Sequence, residues 1–298
     1  MSADKTDAEP REGTQGFQAV PRGRARRFGR FARLAGGVAG NMLAHGAVQL
    51  ATGKRPRAKD LLLTPKNAMK LTRQLAEMRG AAMKLGQIFS MDTGDLLPRE
   101  LADILAALRD RGYAMPDAQL EEVLIEGLGA DYADKLRHFE REPFAAASIG
   151  QVHRLRTRDG RAAVLKIQYP GIRESIDSDV DNLASLLSMS GLLPKHMDMV
   201  PLLEEAKTQL HEEADYEQEA RYLKAFVRAL GDDERFLIPR LIPHLSATRI
   251  LGMTYVPGIP IEEVANETAA ERSRVLGLLF ELLMIELFQL KLVQTDPN

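Results

Sequence analysis

The sequence predicts an α+β fold on three observations. Two short runs rich in Val, Leu and Ile, residues 151–157 and 162–169, flank Asp159-Gly160, a dipeptide that accepts positive φ, and read as a two-residue β-hairpin. Stretches with apolar residues near helical spacing lie on both sides of that hairpin. One lysine, Lys166, stands inside the apolar run Val164-Leu165-Lys166-Ile167, where a charge is unfavourable unless an anionic group meets it.

The composition bounds the chemistry. A chain of 298 residues with 45% hydrophobic content can bury a substantial core. The absence of cysteine removes disulfides, thiolate nucleophiles and cysteine metal sites, and fits a reducing compartment. The six histidines are scattered, with no i, i+4 pair and no HExxH pattern, so zinc chemistry is not indicated and no metal ligands are assigned. A net charge of −2 conceals an asymmetry: residues 1–60 carry 12 basic against 5 acidic side chains, whereas the remainder carries 28 against 37. No run of 18 apolar residues is present, so no helix spans a bilayer.

Residues 1 to about 20 are polar and lack apolar periodicity, which predicts disorder. Residues 22–50 then alternate Arg22, Arg24, Arg26, Arg27, Arg30 and Arg33 with Phe28, Phe31 and Leu34. This reads as a solvated basic arm, a helix drawn to anionic lipid, or a transit-type peptide. Nucleic acid is not favoured as a partner, because aromatics are few and the rest of the chain is acidic. Thr64-Pro65 suits the start of a helix running to about Met91, and within it Lys84 and Gln87, three positions apart, share a face. Further helices are predicted over 99–109 and 116–127, the latter with Pro116 at its first position. After the hairpin come a helix over 175–189 and a longer one over 200–230 bearing the acidic run 212–219. On one continuous helix Asp215 and Glu219 face one way and Glu213 lies about 240° round from Glu219, so carboxylates point in two directions. Strands are predicted over 236–242 and 248–256, and a helix over 267–290 apolar enough to be buried on most sides.

The motifs then combine. Residues 145–152 fit Ala-x-Ala-x-x-Gly-x-Val, the protein-kinase glycine-loop pattern with alanine at the first two glycine positions, and Lys166 follows at the distance of the strand lysine of kinases. Taken singly, each motif also has a structural reading: a hairpin, an exposed helix lysine, a solvated acidic face. In sequence order they are Lys84-Leu85-Gly86-Gln87, then Ala145-Ala146-Ala147-Ser148 with Gly150 and Val152, then Lys166, then Glu213-Ala214-Asp215 and Glu219. A hinge-like stretch from Met253 to Val256 and a terminal Asp296-Pro297-Asn298 complete the series. From about Leu61 to Asn298 the chain resembles the AarF/UbiB family of atypical kinase-like proteins, with its KxGQ, alanine-loop and ExD signatures.

The resemblance implies a kinase-like N-lobe over 136–256, a helical KxGQ extension over 61–135, the start of a C-lobe over 257–298 and a flexible basic segment over 1–60. It implies that ATP is bound by residues 145–148, Gly150, Val152, Lys166, Glu219, Met253 and Val256, with Glu219 pairing Lys166. Lys84 and Gln87 would be held over the pocket by Glu213 and Asp215, and Asp296 would be the catalytic-loop Asp acting with Lys166. The family's metal-binding Asn would follow at position 301 and the DFG Asp later still, so this sequence reads as truncated, catalytically incomplete, and dependent on a full-length form for Mg2+. The implied function is that of an ATPase or kinase-like protein supporting ubiquinone biosynthesis, cytoplasmic or peripheral on the inner face of a membrane. Its partners would be anionic or isoprenoid lipid and other quinone-biosynthesis proteins. The alternatives are a non-catalytic lipid- or partner-binding pseudokinase and a small-molecule phosphotransferase.

Overall fold

A computed structural model describes residues 78–92, 114–190 and 198–294. Its centre is a five-stranded antiparallel sheet built on two long strands, β3 (Gly150–Thr157) and β4 (Ala162–Gln168). β1 (Leu136–Phe139) and β2 (Ala145–Ala146) pair with opposite ends of the same edge of β3, and β5 (Ile250–Thr254) lies on the far side of β4. Alternation sorts the side chains as a period of two demands. Ala163, Leu165 and Ile167 of β4 are buried on one face, while Lys166 projects from the other.

Helices cover the buried face. α1 (Arg79–Asp92), α3 (Ile172–Ser190) and α4 (Met199–Glu213) pack on one another, and α2 (Asp117–Leu128) adds Leu120, Val123 and Leu124 to the same core. Ala82 and Leu85 of α1, Ile176, Val180 and Leu183 of α3, and Ala206 and Leu210 of α4 complete it. At Gly150 the backbone of β4 lies close against β3. A Cβ there would lie 2.4 Å from the carbonyl oxygen of Ile167, so only glycine lets β3 pair at this register.

Several elements differ from the sequence expectation. The hairpin turn has three residues rather than two: Thr157 N–H donates to the Arg161 carbonyl at 3.0 Å, and Gly160, not an Asp-Gly pair, supplies the left-handed residue with φ +85°. Pro116 caps α2 instead of opening it. Residues 236–242 form no strand. With Pro239 unable to donate, this stretch makes only an isolated bridge from Leu241 to Met253 beside β5.

The expected helix over 200–230 is two helices, α4 and α5 (Tyr216–Leu230). Asp215 breaks it: its backbone leaves the helical region, and its carboxylate accepts from Gln218 N–H at 2.9 Å and caps α5. The last helix, α6 (Ala269–Ile285), begins at the Thr268 cap and runs into a π turn, Glu286–Leu290. It is not buried on most sides. Leu276, Leu279, Phe280, Leu283, Leu287 and Phe288 stand 40–74% exposed, because among the described elements α6 packs chiefly on the turns that flank it, Ile261–Asn266 and Glu286–Leu290, rather than on the core.

The predicted helix over 99–109 lies outside the described residues, as do residues 22–50 and Asp296. Among the described residues no helix is long and apolar enough to cross a membrane.

Candidate functional site

The second face of the sheet carries Lys166. Its cross-strand partners are Val152 on β3 and Leu251 on β5, and the next rung on that face is Arg154, Val164 and Met253. The start of α5 runs beside this face and delivers Glu219, whose two carboxylate oxygens accept from Lys166 Nζ at 2.9 and 2.8 Å. The apolar flanks of Lys166 required such a partner. Glu219 itself is 37% exposed, so the pair is half-buried and its loss should cost less than that of a fully enclosed ion pair.

Tyr216, one turn before Glu219, closes the underside of the pair. Lys166 Nζ lies 4.9 Å from the centre of its ring, within cation–π range. Burial pushes the phenol well above its ordinary pKa, reinforced by the carboxylates of Glu219 and Glu213, so Tyr216 stays neutral. Its hydroxyl has no hydrogen-bond partner among the described residues.

The break between α4 and α5 sets where the carboxylates go. Glu213 ends α4 and turns to α1, where its Oε2 lies 3.9 Å from Lys84 Nζ, an ion-pair distance beyond hydrogen-bond reach. Its Oε1 accepts from Ser148 Oγ of the alanine loop. One carboxylate therefore links the KxGQ lysine to the loop. Asp215 is committed to the helix cap, so of the two ExD acids it is Glu213 that carries these contacts. Lys84 is buried, whereas Gln87 on the following turn is exposed, so the two do not present a common buried face. Ala145 and Ala146 are exposed, Ala147 and Ser148 half-buried, and the loop closes with Ala147 N–H donating to the Gly150 carbonyl at 2.9 Å. Met253 and Val256 are half-buried at and just beyond the end of β5. The structure thus gathers Ser148, Glu213 and Lys84 in one chain of contacts and Lys166, Glu219 and Tyr216 in another.

Two positioning groups escaped the sequence. Gln168, fully buried at the end of β4, donates from Nε2 to the Ala214 carbonyl at 2.7 Å and fixes the break that aims Glu213 and Glu219. On the opposite sheet face, Gln151 and His153 form a buried relay: Met115 N–H donates to Gln151 Oε1 at 2.8 Å, Gln151 Nε2 meets His153 Nε2 at 2.7 Å, and His153 Nδ1 donates to the Glu140 carbonyl at 2.9 Å. Gln151 and His153 share a face of β3 two positions apart, but the backbone groups they bond, on Met115 and Glu140, lie 36 and 13 residues away and no spacing rule points to them.

The relay requires a neutral imidazole. Burial lowers the His153 pKa, with the Glu140 hydrogen bond opposing in part. In the unfolded chain the imidazole takes up a proton near its ordinary pKa of about 6.5. Folding stability is therefore full above about pH 6.5 and falls as pH drops below it toward the lower folded-state value. Thermal melts between pH 7 and 5.5 are expected to show a loss that a His153→Gln variant largely lacks. An equal loss in both would contradict the relay.

A twisted antiparallel sheet holding an alanine loop on one strand, a lysine on the next and a helix carboxylate bonded to that lysine defines a kinase-like protein of atypical loop sequence. The chain belongs to the ABC1 atypical kinase-like family, whose domain matches residues 107–298. It is 36% identical over 297 residues to the mitochondrial atypical kinase COQ8 of Saccharomyces cerevisiae, covering 100% of this chain and 59% of that protein. It is 37% identical over 285 residues to the mitochondrial atypical kinase coq-8 of Caenorhabditis elegans, covering 94% of this chain and 38% of the relative. The chain thus spans roughly 40–60% of the length of these relatives. Among solved structures, the complex of Rv3197 with erythromycin from Mycobacterium tuberculosis aligns with a TM-score of 0.52 at 29% identity, covering 78% of this chain and 59% of that one.

Proposed function

We propose that the Lys166 face binds ATP, and that the chain is the nucleotide-holding part of an atypical kinase-like protein serving ubiquinone biosynthesis. The observation that carries this is the Lys166–Glu219 pair. An ammonium has three N–H donors, and Glu219 takes two of them, which leaves one for a phosphate oxygen. At about 4 Å and an effective dielectric constant of about 20, an ammonium and one phosphate charge attract by about 4 kcal/mol, an attraction that the Glu219 carboxylate on the same ammonium partly offsets. Glu219 holds the lysine in place, and Ala145 to Gly150 cover the phosphates. Alanine methyls restrict the positive-φ conformations that glycine permits, so this loop approaches the phosphates differently from a glycine loop. Val152, Val164, Met253 and Val256 supply the apolar end for the base.

Among the described residues no group of three His, Asp or Glu is placed to hold a metal ion. In this reading Asp296 is the loop acid. With Lys84 of α1 held over the cleft, as the family's KxGQ signature implies, a protein substrate would be kept out. This favours ATP hydrolysis or transfer to a small molecule over protein phosphorylation. Residues 22–50 supply an anionic-lipid contact, and isoprenoid lipid and quinone-biosynthesis proteins are the partners. The second reading, a partner-binding module without chemistry, draws on the exposed Leu276, Phe280 and Phe288. ATP hydrolysis assayed with and without liposomes containing anionic lipid separates the two. ATP binding together with lipid-stimulated turnover supports the first reading, and lipid binding without any ATP binding supports the second.

A further inference from the structure

Beyond Lys166, the same sheet face carries a cluster that the nucleotide reading leaves unused. The Arg154 guanidinium lies 3.7 Å from the centre of the Phe144 ring and 5.2 Å from that of Tyr255. Its Nη2 donates to the Tyr255 hydroxyl at 3.3 Å, and the two rings meet edge to face at 6.1 Å. Arg154 Nε is buried without a hydrogen-bond partner among the described residues, so stacking and the single bond to Tyr255 hold the group where it is.

The three residues come from three places. Phe144 immediately precedes the alanine loop, its N–H donating to the Val152 carbonyl at 2.8 Å. Arg154 belongs to β3. Tyr255 follows β5, its N–H donating to the Ala162 carbonyl at 3.1 Å. The guanidinium therefore joins the lead-in of the loop to the stretch beyond β5. It does so from the rung next to that of Lys166, about 7 Å along the strand. If Lys166 meets phosphates, that is the direction in which the base lies.

We propose that Phe144, Arg154 and Tyr255 form a strap across the base end of the cleft, which ties the alanine loop down and slows release of a bound nucleotide. The proposal rests on the reading of the Lys166 face as a nucleotide site. Arg154 is a positioning residue: it acts through Phe144 on the loop. A planar guanidinium is needed, because it stacks on one ring while its edge bonds the hydroxyl of the other, which a lysine ammonium does not reproduce.

Two measurements on the 298-residue chain test this. The first is backbone amide exchange of residues 144–149 without nucleotide, followed by mass spectrometry. Arg154→Ala is expected to speed it about tenfold and Arg154→Lys to restore it only in part, while exchange in β4 is unchanged. The second is dissociation of a fluorescent N-methylanthraniloyl ATP on dilution into excess ATP, expected to quicken about tenfold in Arg154→Ala. Unchanged exchange in 144–149 overturns the strap, whatever the nucleotide result. Faster exchange with unchanged dissociation confines Arg154 to ordering the loop and overturns its role in retention. A wild-type chain that does not take up the fluorescent ATP overturns the nucleotide reading instead, and the exchange result still decides whether the loop is tied.

Discussion

Glu219→Gln is expected to lower the stability of the fold by about 1–3 kcal/mol. Removing one partner of a fully buried pair costs about 3–5 kcal/mol, and exposed pairs contribute less than about 1 kcal/mol. The Lys166 and Glu219 side chains are 19% and 37% exposed, which places their pair between these limits. The Tyr216 ring at 4.9 Å offers the stranded ammonium a weak partial compensation. Because the loss comes from an uncompensated charge, the double variant Lys166→Met/Glu219→Gln should recover most of it. Urea titrations of the wild type, both single variants and the double variant measure this as a coupling energy of at least about 1 kcal/mol. Additive effects would mean that the two groups do not stabilise each other in solution.

The second large effect concerns α6. Leu276, Phe280, Leu283 and Leu287 recur at helical spacing as one stripe and are 65, 64, 40 and 44% exposed. With Leu279 and Phe288 beside it, the stripe forms a contiguous apolar surface of the kind that marks association or aggregation. The 298-residue chain is therefore expected to bind a hydrophobic dye such as ANS and to self-associate at micromolar concentration. Replacing Leu276, Phe280 and Leu283 together by Lys should cut dye fluorescence about threefold or more and shift the sedimentation profile toward monomer. These positions face solvent, so the substitutions should leave the melting temperature within a few degrees. Unchanged dye binding would show that the apolar surface lies elsewhere.

These effects separate what was legible in the sequence from what was not. Lys166 was legible because an ammonium among Val164, Leu165 and Ile167 requires an anion, and Glu219 came from the family signature. The division of labour between Glu213 and Asp215 was not. Reading the acidic run 212–219 as one helical face hid the start signal that Asp215 and Gln218, three residues apart, were already giving. Read as one helix, the three acids seemed to form faces, whereas the break sends Glu213 toward Lys84 and Ser148 and leaves Asp215 as a cap. Gln168 gave no signal at all, since its partner, the Ala214 carbonyl, lies 46 residues away and is a backbone group. The misreading of α6 has a simpler cause. Apolar residues all round a helix show that it prefers burial, but the sequence does not say what is there to bury it.

The central claim, that Lys166 is the anchor for nucleotide phosphates, is tested most directly by titrating ATP into the 298-residue chain by calorimetry, wild type beside Lys166→Met. Loss of the ammonium also leaves the Glu219 carboxylate facing the phosphates, so both changes weaken binding. The account predicts measurable ATP binding by the wild type, weakened more than about tenfold in Lys166→Met. Circular dichroism should show both proteins folded. Equal affinity in the two folded proteins would contradict it.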